Sequence, residues 1–366
     1  MRPESDRLGV LTDHHCHGLV TTDLERDGFE ALMNEAPGAS PLGTSLFDSM
    51  LGLAIRRHCA PLLDLEPLAP ADAYLARRRE LGATEVNRRF LTASGIGTFL
   101  VDTGLDGPGG TALTTPAELA GLADGDAYEV VRLERVVEEV LREETADVPG
   151  AVEDRLRTSG AIAAKSIAAY RVGLDLPAEK PGPDALVAAL RDADPQRVAE
   201  RAVSGWLAHT ALELGLPLQI HTGYGDPDLD LLAADPLHLT PFLRGTQDLG
   251  VPVLMLHTYP FHRHAAYLAQ VFDHAFMDLG LAVHNTGALS AGPIRETLEL
   301  VPFGSLLFST DAYGLAEHYL LGALLFRRGF ARMVDDLLAD GDLGEDDAAH
   351  LAGMVARDNA ARVYGL

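Results

Sequence analysis

The chain has 366 residues, with 54 Asp+Glu against 29 Lys+Arg and a formal net charge of -25. That balance excludes phosphate-backbone recognition, which needs a basic stripe, and argues equally against docking on an anionic membrane. With 47% apolar residues and only two cysteines, Cys16 and Cys59, the chain carries a large core and no disulfide framework. The N-terminal MRPESDRLGV lacks an apolar run of signal-peptide length, and no stretch reaches membrane-span length. The expectation is a cytoplasmic protein acting on a small molecule.

Eight short apolar runs recur along the chain, each followed by polar or glycine residues and then by a helical stretch. They are GVLTDHHCHG from Gly9, GIGTFLVDTGL from Gly95, YEVVRLERV from Tyr128 and GAIAAKSIAAY from Gly160. LPLQIHTGYG from Leu216, VPVLMLHTYP from Val251, HAFMDLGL from His274 and SLLFSTDAYG from Ser305 complete the set. Near-continuous apolar character fits strands buried on both faces. Eight such units predict an α/β fold, a TIM (β/α)8 barrel, as one domain over 1–366. About eighty residues separate the first run from the second, too many for a simple connection. Residues 28–92 therefore read as a helical insert, a lid over the C-terminal face. Its segment Ser45 to Arg57 is expected to cover the pocket or to form a homodimer contact.

Polar residues end several of these runs. Strict alternation along the first strand puts Asp13, His15 and His17 on one face and His14 and Cys16 on the other. His221, His257 and Asp311 end runs five, six and eight, and Lys165 ends run four. A parallel barrel gathers its strand ends at one rim, so His15, His17, His221, His257 and Asp311 are expected to converge there. Four imidazoles and a carboxylate suit a divalent metal, zinc first and manganese second. Taken alone, Asp311 could equally cap the helix AYGLAEHYLLGALLF. Arg171 could grip a substrate carboxylate or form an ordinary rim ion pair. Tyr224 and Asp226, in a glycine-flanked loop, could touch substrate or simply build a turn. His262 and His264, just past run six, read as structural. GxSxG, HExxH, GxxxxGK[ST] and post-strand GxGxxG motifs are absent.

The order HxH, His, His, Asp on runs one, five, six and eight resembles the amidohydrolase superfamily. GAIAAKSIAAYRVGL, HTGYGDPDLDL, LHTYPFHRHAAYLAQVF and STDAYG resemble its amidohydrolase-related branch, which includes the domain of FluG- and nodulin/glutamine-synthetase-like proteins. The resemblance implies metal-dependent hydrolysis of a C–N bond, amide or amidine-like, by metal-activated water. Asp311 would then be the general base, and His257, or His221 if not a ligand, would stabilise the developing oxyanion. It also implies that Lys165, carboxylated, could bridge two ions, so one or two metals are open. Alternatives are non-oxidative decarboxylation of a small carboxylic acid and a non-catalytic metal-binding domain.

Overall fold

The computed structural model describes residues 7–36, 38 and 40–366. Seven parallel strands form one sheet in chain order. They are β1 (Leu11–Cys16), β2 (Ile96–Asp102), β3 (Asp126–Arg132), β4 (Ala163–Ser166), β5 (Leu218–His221), β6 (Val253–Leu256) and β7 (Ala275–Met277). The eighth apolar run closes the circle without forming a regular strand. Leu307 N–H donates to the Met277 carbonyl at 3.0 Å, and His14 N–H donates to the Phe308 carbonyl at 3.1 Å. The fold is therefore a TIM barrel. The eighth run is irregular for a chemical reason: the Asp13 carboxylate accepts from both the N–H (2.9 Å) and the hydroxyl (2.5 Å) of Thr310. A side chain thus takes a donor that a ladder would have used.

Two apolar clusters hold the molecule together. Inside the barrel, Leu100, Val130, Ala163, Leu254, Leu256, Phe276 and Leu307 pack with Ala360, Val363 and Tyr364 from the last helix, Asn359–Tyr364. The Asn359 amide donates to the carbonyls of Phe303 and Leu306, so this helix stoppers the N-terminal end. The larger cluster lies between the strands and the surrounding helices. Among the described residues no helix is long and apolar enough to cross a membrane.

The region after β1 contains the helices Arg26–Glu30, Met50–Ala54, Ala71–Leu81 and Ala83–Ser94. It is bolted to the long helix Ala316–Asp340 by a buried ion pair, Arg78 Nε to Glu317 Oε1 at 2.8 Å, and the Tyr74 hydroxyl donates to the same oxygen. Met50–Ala54 packs on the helix Gly280–Thr286, and the turn Ile55–Cys59 packs on Ala316–Asp340. Residues 45–57 thus lean on the helical layer after β7 and the eighth run. An earlier part of the insert packs beside the end of the eighth run: a Cβ on Gly314 would come within 2.9 Å of the Leu32 side chain.

Candidate metal centre

Strict alternation fails on β1. Its register against β2 shifts between Asp13 and Cys16, a bulge that turns consecutive side chains toward the barrel interior. His14, expected to point away, bonds Asp278 Oδ2 through Nε2 and the Tyr364 hydroxyl through Nδ1, both at 2.9 Å. Asp13 leaves the expected group for Thr310, and burial pushes its carboxyl up to about 8. Cys16 donates to the Leu100 carbonyl, away from the imidazoles.

The hydrogen bonds around His15 determine its tautomer. The Gln219 amide nitrogen donates to the His14 carbonyl (2.7 Å) and the Tyr364 hydroxyl (2.9 Å), which leaves its oxygen to accept from His15 Nδ1 at 2.8 Å. His15 Nε2 is therefore a bare lone pair. It lies 3.2 Å from Asp311 Oδ1 and 3.0 Å from Lys165 Nζ. His17 repeats the pattern: Nδ1 donates to the Asp102 carbonyl at 3.2 Å, and bare Nε2 stands 3.4 Å from Asp311 Oδ1. His257 Nδ1 makes no hydrogen bond and lies 3.3 Å from Asp311 Oδ2. His221 Nε2 is buried without a partner. Its ring packs 4.7 Å from that of His257 and 4.6 Å from that of Tyr170, centroid to centroid. Within this wall a Cβ on Gly225 would overlap the Tyr170 hydroxyl, so only glycine allows the approach.

Charges in this pocket are set by burial first. Burial, reinforced by Lys165, pulls His15 down to about 4 and His221 down to about 3. Burial also holds His257 well below the usual histidine range, against the pull of Asp311. Burial alone would raise Asp311, but the neighbouring imidazoles, His257 first and then His15 and His17, outweigh it and hold the carboxyl well below its ordinary value. Lys165 is lowered by burial to about 8, with Asp102 and Asp311 opposing. Neutral imidazoles facing an ionised carboxylate acceptor-to-acceptor are what a divalent cation satisfies. Among the described residues two donor groups lie close enough to hold one: His15, His257 and Asp311, or His15, His17 and Asp102.

The backbone at this rim is unusual. His257 (φ 67), Thr258 (φ 55) and Asp311 (φ 51) are left-handed without being glycine, a conformation costing ~1–3 kcal/mol per residue. Asp278 over-determines two of them: its carboxylate accepts from His257 N–H at 2.9 Å, and its carbonyl accepts from the Thr258 hydroxyl at 2.8 Å. The helix after the eighth run begins only at Ala316, with Leu315 at its cap, so Asp311 caps nothing.

Other residues singled out from the sequence fall elsewhere. The Arg171 guanidinium is engaged by Glu138 at 3.1 Å, the ion-pair alternative rather than a free carboxylate clamp. Tyr224 stacks edge-on to Tyr259 near His221. His262 and His264 pair with Glu296 and Asp235. Four rim residues were missed: Asp102, which ends β2; Arg132, which ends β3 and grips Asp102 at 2.6 and 3.1 Å; Asp278, just past β7; and Gln219 within β5. Three of them obey the rule that found His221, a polar residue ending an apolar run, applied to too few runs.

Residues 168–366 match the amidohydrolase family. The protein FluG of Emericella nidulans is 31% identical over 233 residues, a match covering 59% of this chain and 27% of FluG. The chain thus aligns with only about a quarter of that relative's length. Among solved structures, a Lactobacillus casei protein assigned as a metal-dependent hydrolase superposes with a TM-score of 0.83 at 26% identity, covering 99% of this chain and 96% of that one. Glucuronate isomerase from Caulobacter crescentus gives a TM-score of 0.63 at 13% identity, covering 98% and 92%. Uronate isomerase from Thermotoga maritima gives 0.61 at 10%, covering 99% and 95%, and both isomerases share the fold.

Proposed function

The chain belongs to the amidohydrolase family, and from that premise we propose a hydrolase that cleaves a C–N bond of a small molecule at a single divalent metal, zinc by preference. The carrying observation is the set of bare imidazole nitrogens at His15, His17 and His257 converging on the ionised carboxylate of Asp311. A bound cation would supply an acidified water and polarise the scissile carbonyl.

His15 supports a count of one. With Nδ1 spent on Gln219, it offers one nitrogen, and both candidate donor groups run through His15. Asp102 is already held by Arg132 and by the Gly104 N–H, which favours His15, His257 and Asp311 as the holding set, with His17 beside Asp311. Asp311 takes a proton from the attacking water and returns it to the departing amine. Lys165, with three donors beside His15 Nε2, stabilises negative charge developing on the substrate oxygen. It suits this role better than His221, which burial keeps neutral. Lys165 therefore acts as a donor in this reading, not as a carboxylated bridge.

The test is metal content and turnover on one preparation. Chelation is expected to abolish hydrolysis of a panel of small amides, and one equivalent of zinc per chain to restore it. Two tightly bound equivalents would overturn the single-ion reading, and carbon dioxide release without amine would overturn C–N hydrolysis. A second expectation follows from the His15 tautomer. Gln219→Leu removes the acceptor that orients Nδ1 and should weaken metal binding ~10–100-fold, the range for losing a partner behind a ligating imidazole. A competition titration with a chelating dye reads it, and unchanged affinity would show that Gln219 does not orient His15.

A further inference from the structure

Arg132 has no part in the scheme above beyond holding Asp102. It closes β3 in register with Lys165 on β4, and partners across a parallel ladder project from the same face. Lys165 reaches into the mouth of the barrel, with Nζ 3.0 Å from His15 Nε2, so Arg132 enters beside it. Asp102 fixes the same placement independently. One of its carboxylate oxygens lies within 4.8 Å of a ring nitrogen of each of His15 and His17, and Arg132 Nε and Nη2 both bond its Oδ2, at 3.1 and 2.6 Å. A Cβ on Gly104 would stand 2.3 Å from Arg132 Cβ and 3.0 Å from its Nε, so only glycine lets the side chain lie along the loop after β2. One edge of the guanidinium is left over. Asp102 is wholly enclosed, and the Gly104 N–H bonds its other oxygen at 2.9 Å, whereas the Arg132 side chain stays 10% exposed. Its Nη1 makes no hydrogen bond or ion pair among the described residues and is not sealed from solvent.

We propose that the outer edge of Arg132 binds a carboxylate of the substrate, so that the molecule cleaved at the rim is an acid with its anionic group a few bonds from the scissile carbonyl. This rests on the hydrolase reading only for the word cleaved; the anion site stands on the geometry of Arg132. A guanidinium carries five N–H donors in a planar fork that matches both oxygens of a carboxylate, and Asp102 engages one edge alone. Asp102 also holds the plane in one orientation before any ligand arrives, so little freedom is lost on binding. By itself Asp102 would cancel the charge of Arg132, but the Lys165 ammonium on the next strand leaves this wall cationic. Adjacent strands lie ~4.8 Å apart, which sets a substrate oxygen at Lys165 close to an anion at Arg132. A lysine in place of Arg132 would keep the charge and lose the fork.

The experiment compares methanesulfonate with dimethyl sulfone, two probes of similar shape and different charge that ligate zinc weakly, on the zinc-loaded full chain by NMR titration. Methanesulfonate should bind at least about tenfold tighter than the sulfone, in keeping with a charge-assisted contact. Arg132→Lys should erase that preference while zinc content stays at the wild-type value. Should this variant fail to fold, Asp102→Asn with Arg132→Gln removes the pair without stranding a buried charge and takes the same reading. Equal binding of the two probes to the wild-type chain overturns the proposal whatever the variants do. So does a preference that survives the loss of Arg132, which would assign the anion to zinc or Lys165. Loss of zinc from Arg132→Lys would make Arg132 a support of the metal ligands and overturn the direct contact. Charge-selective binding that depends on Arg132, with no turnover on any amide, would uphold this site and overturn the hydrolase reading alone. Hydrolysis of N-ethylacetamide as efficient as that of N-acetylglycine would uphold hydrolysis and overturn the carboxylate.

Discussion

Asp311→Asn is expected to lower turnover by at least ~100-fold, the lower range for losing a positioned general base, without unfolding the protein. The exchange is nearly isosteric, and asparagine tolerates the left-handed backbone that residue 311 adopts at φ 51. The Asp311 N–H still donates to the His15 carbonyl at 3.0 Å. What disappears is the ionised oxygen facing His15, His17 and His257. Zinc should therefore bind more weakly, yet be retained when supplied in excess, with turnover still depressed under those conditions. Full activity at saturating zinc would remove Asp311 from the proton-transfer role and leave it a metal ligand only. Because no helix begins at this position, a fall in melting temperature with normal turnover has no capping explanation.

Glu317→Gln should be the most destabilising single substitution at the junction of insert and barrel, at ~3–5 kcal/mol, the cost of stranding one member of a buried ion pair. Arg78 is almost completely enclosed and pairs with Glu317 at 2.8 Å; the substitution leaves its guanidinium charged without a counter-ion. Exchanging both partners for apolar residues of similar volume, Arg78→Met with Glu317→Leu, should recover much of the loss. Burial alone would raise the Glu317 carboxyl, but Arg78 outweighs it and holds it below its ordinary value. A carboxylate depressed in the folded state adds stability above its unfolded pKa, and that share is lost as pH falls through the folded value. The wild-type chain should therefore lose more stability than Glu317→Gln on acidification below about pH 4, near the ordinary glutamate pKa. Parallel acid dependence in chemical denaturation of the two proteins would contradict this account.

Much of the site could be read from the order of residues alone. His15, His17, His221, His257 and Asp311 end apolar runs, and a parallel barrel delivers strand ends to one rim whatever lies between them. Seven of the eight runs became ladder strands for the same local reason, continuous apolar character over a few residues. Only tertiary structure decided the rest. His14 turned inward because a bulge in β1 breaks the two-residue period, and a bulge depends on the pairing partner, β2. Arg171 went to Glu138, from a different helix, because a buried guanidinium takes the carboxylate packing brings to it. The bare nitrogen of His15 depends on Gln219, which in turn depends on Tyr364, two residues from the C-terminus. Composition and periodicity report burial and local geometry; which donor meets which acceptor is set by contacts between residues hundreds of positions apart, and those exist only once the barrel has closed.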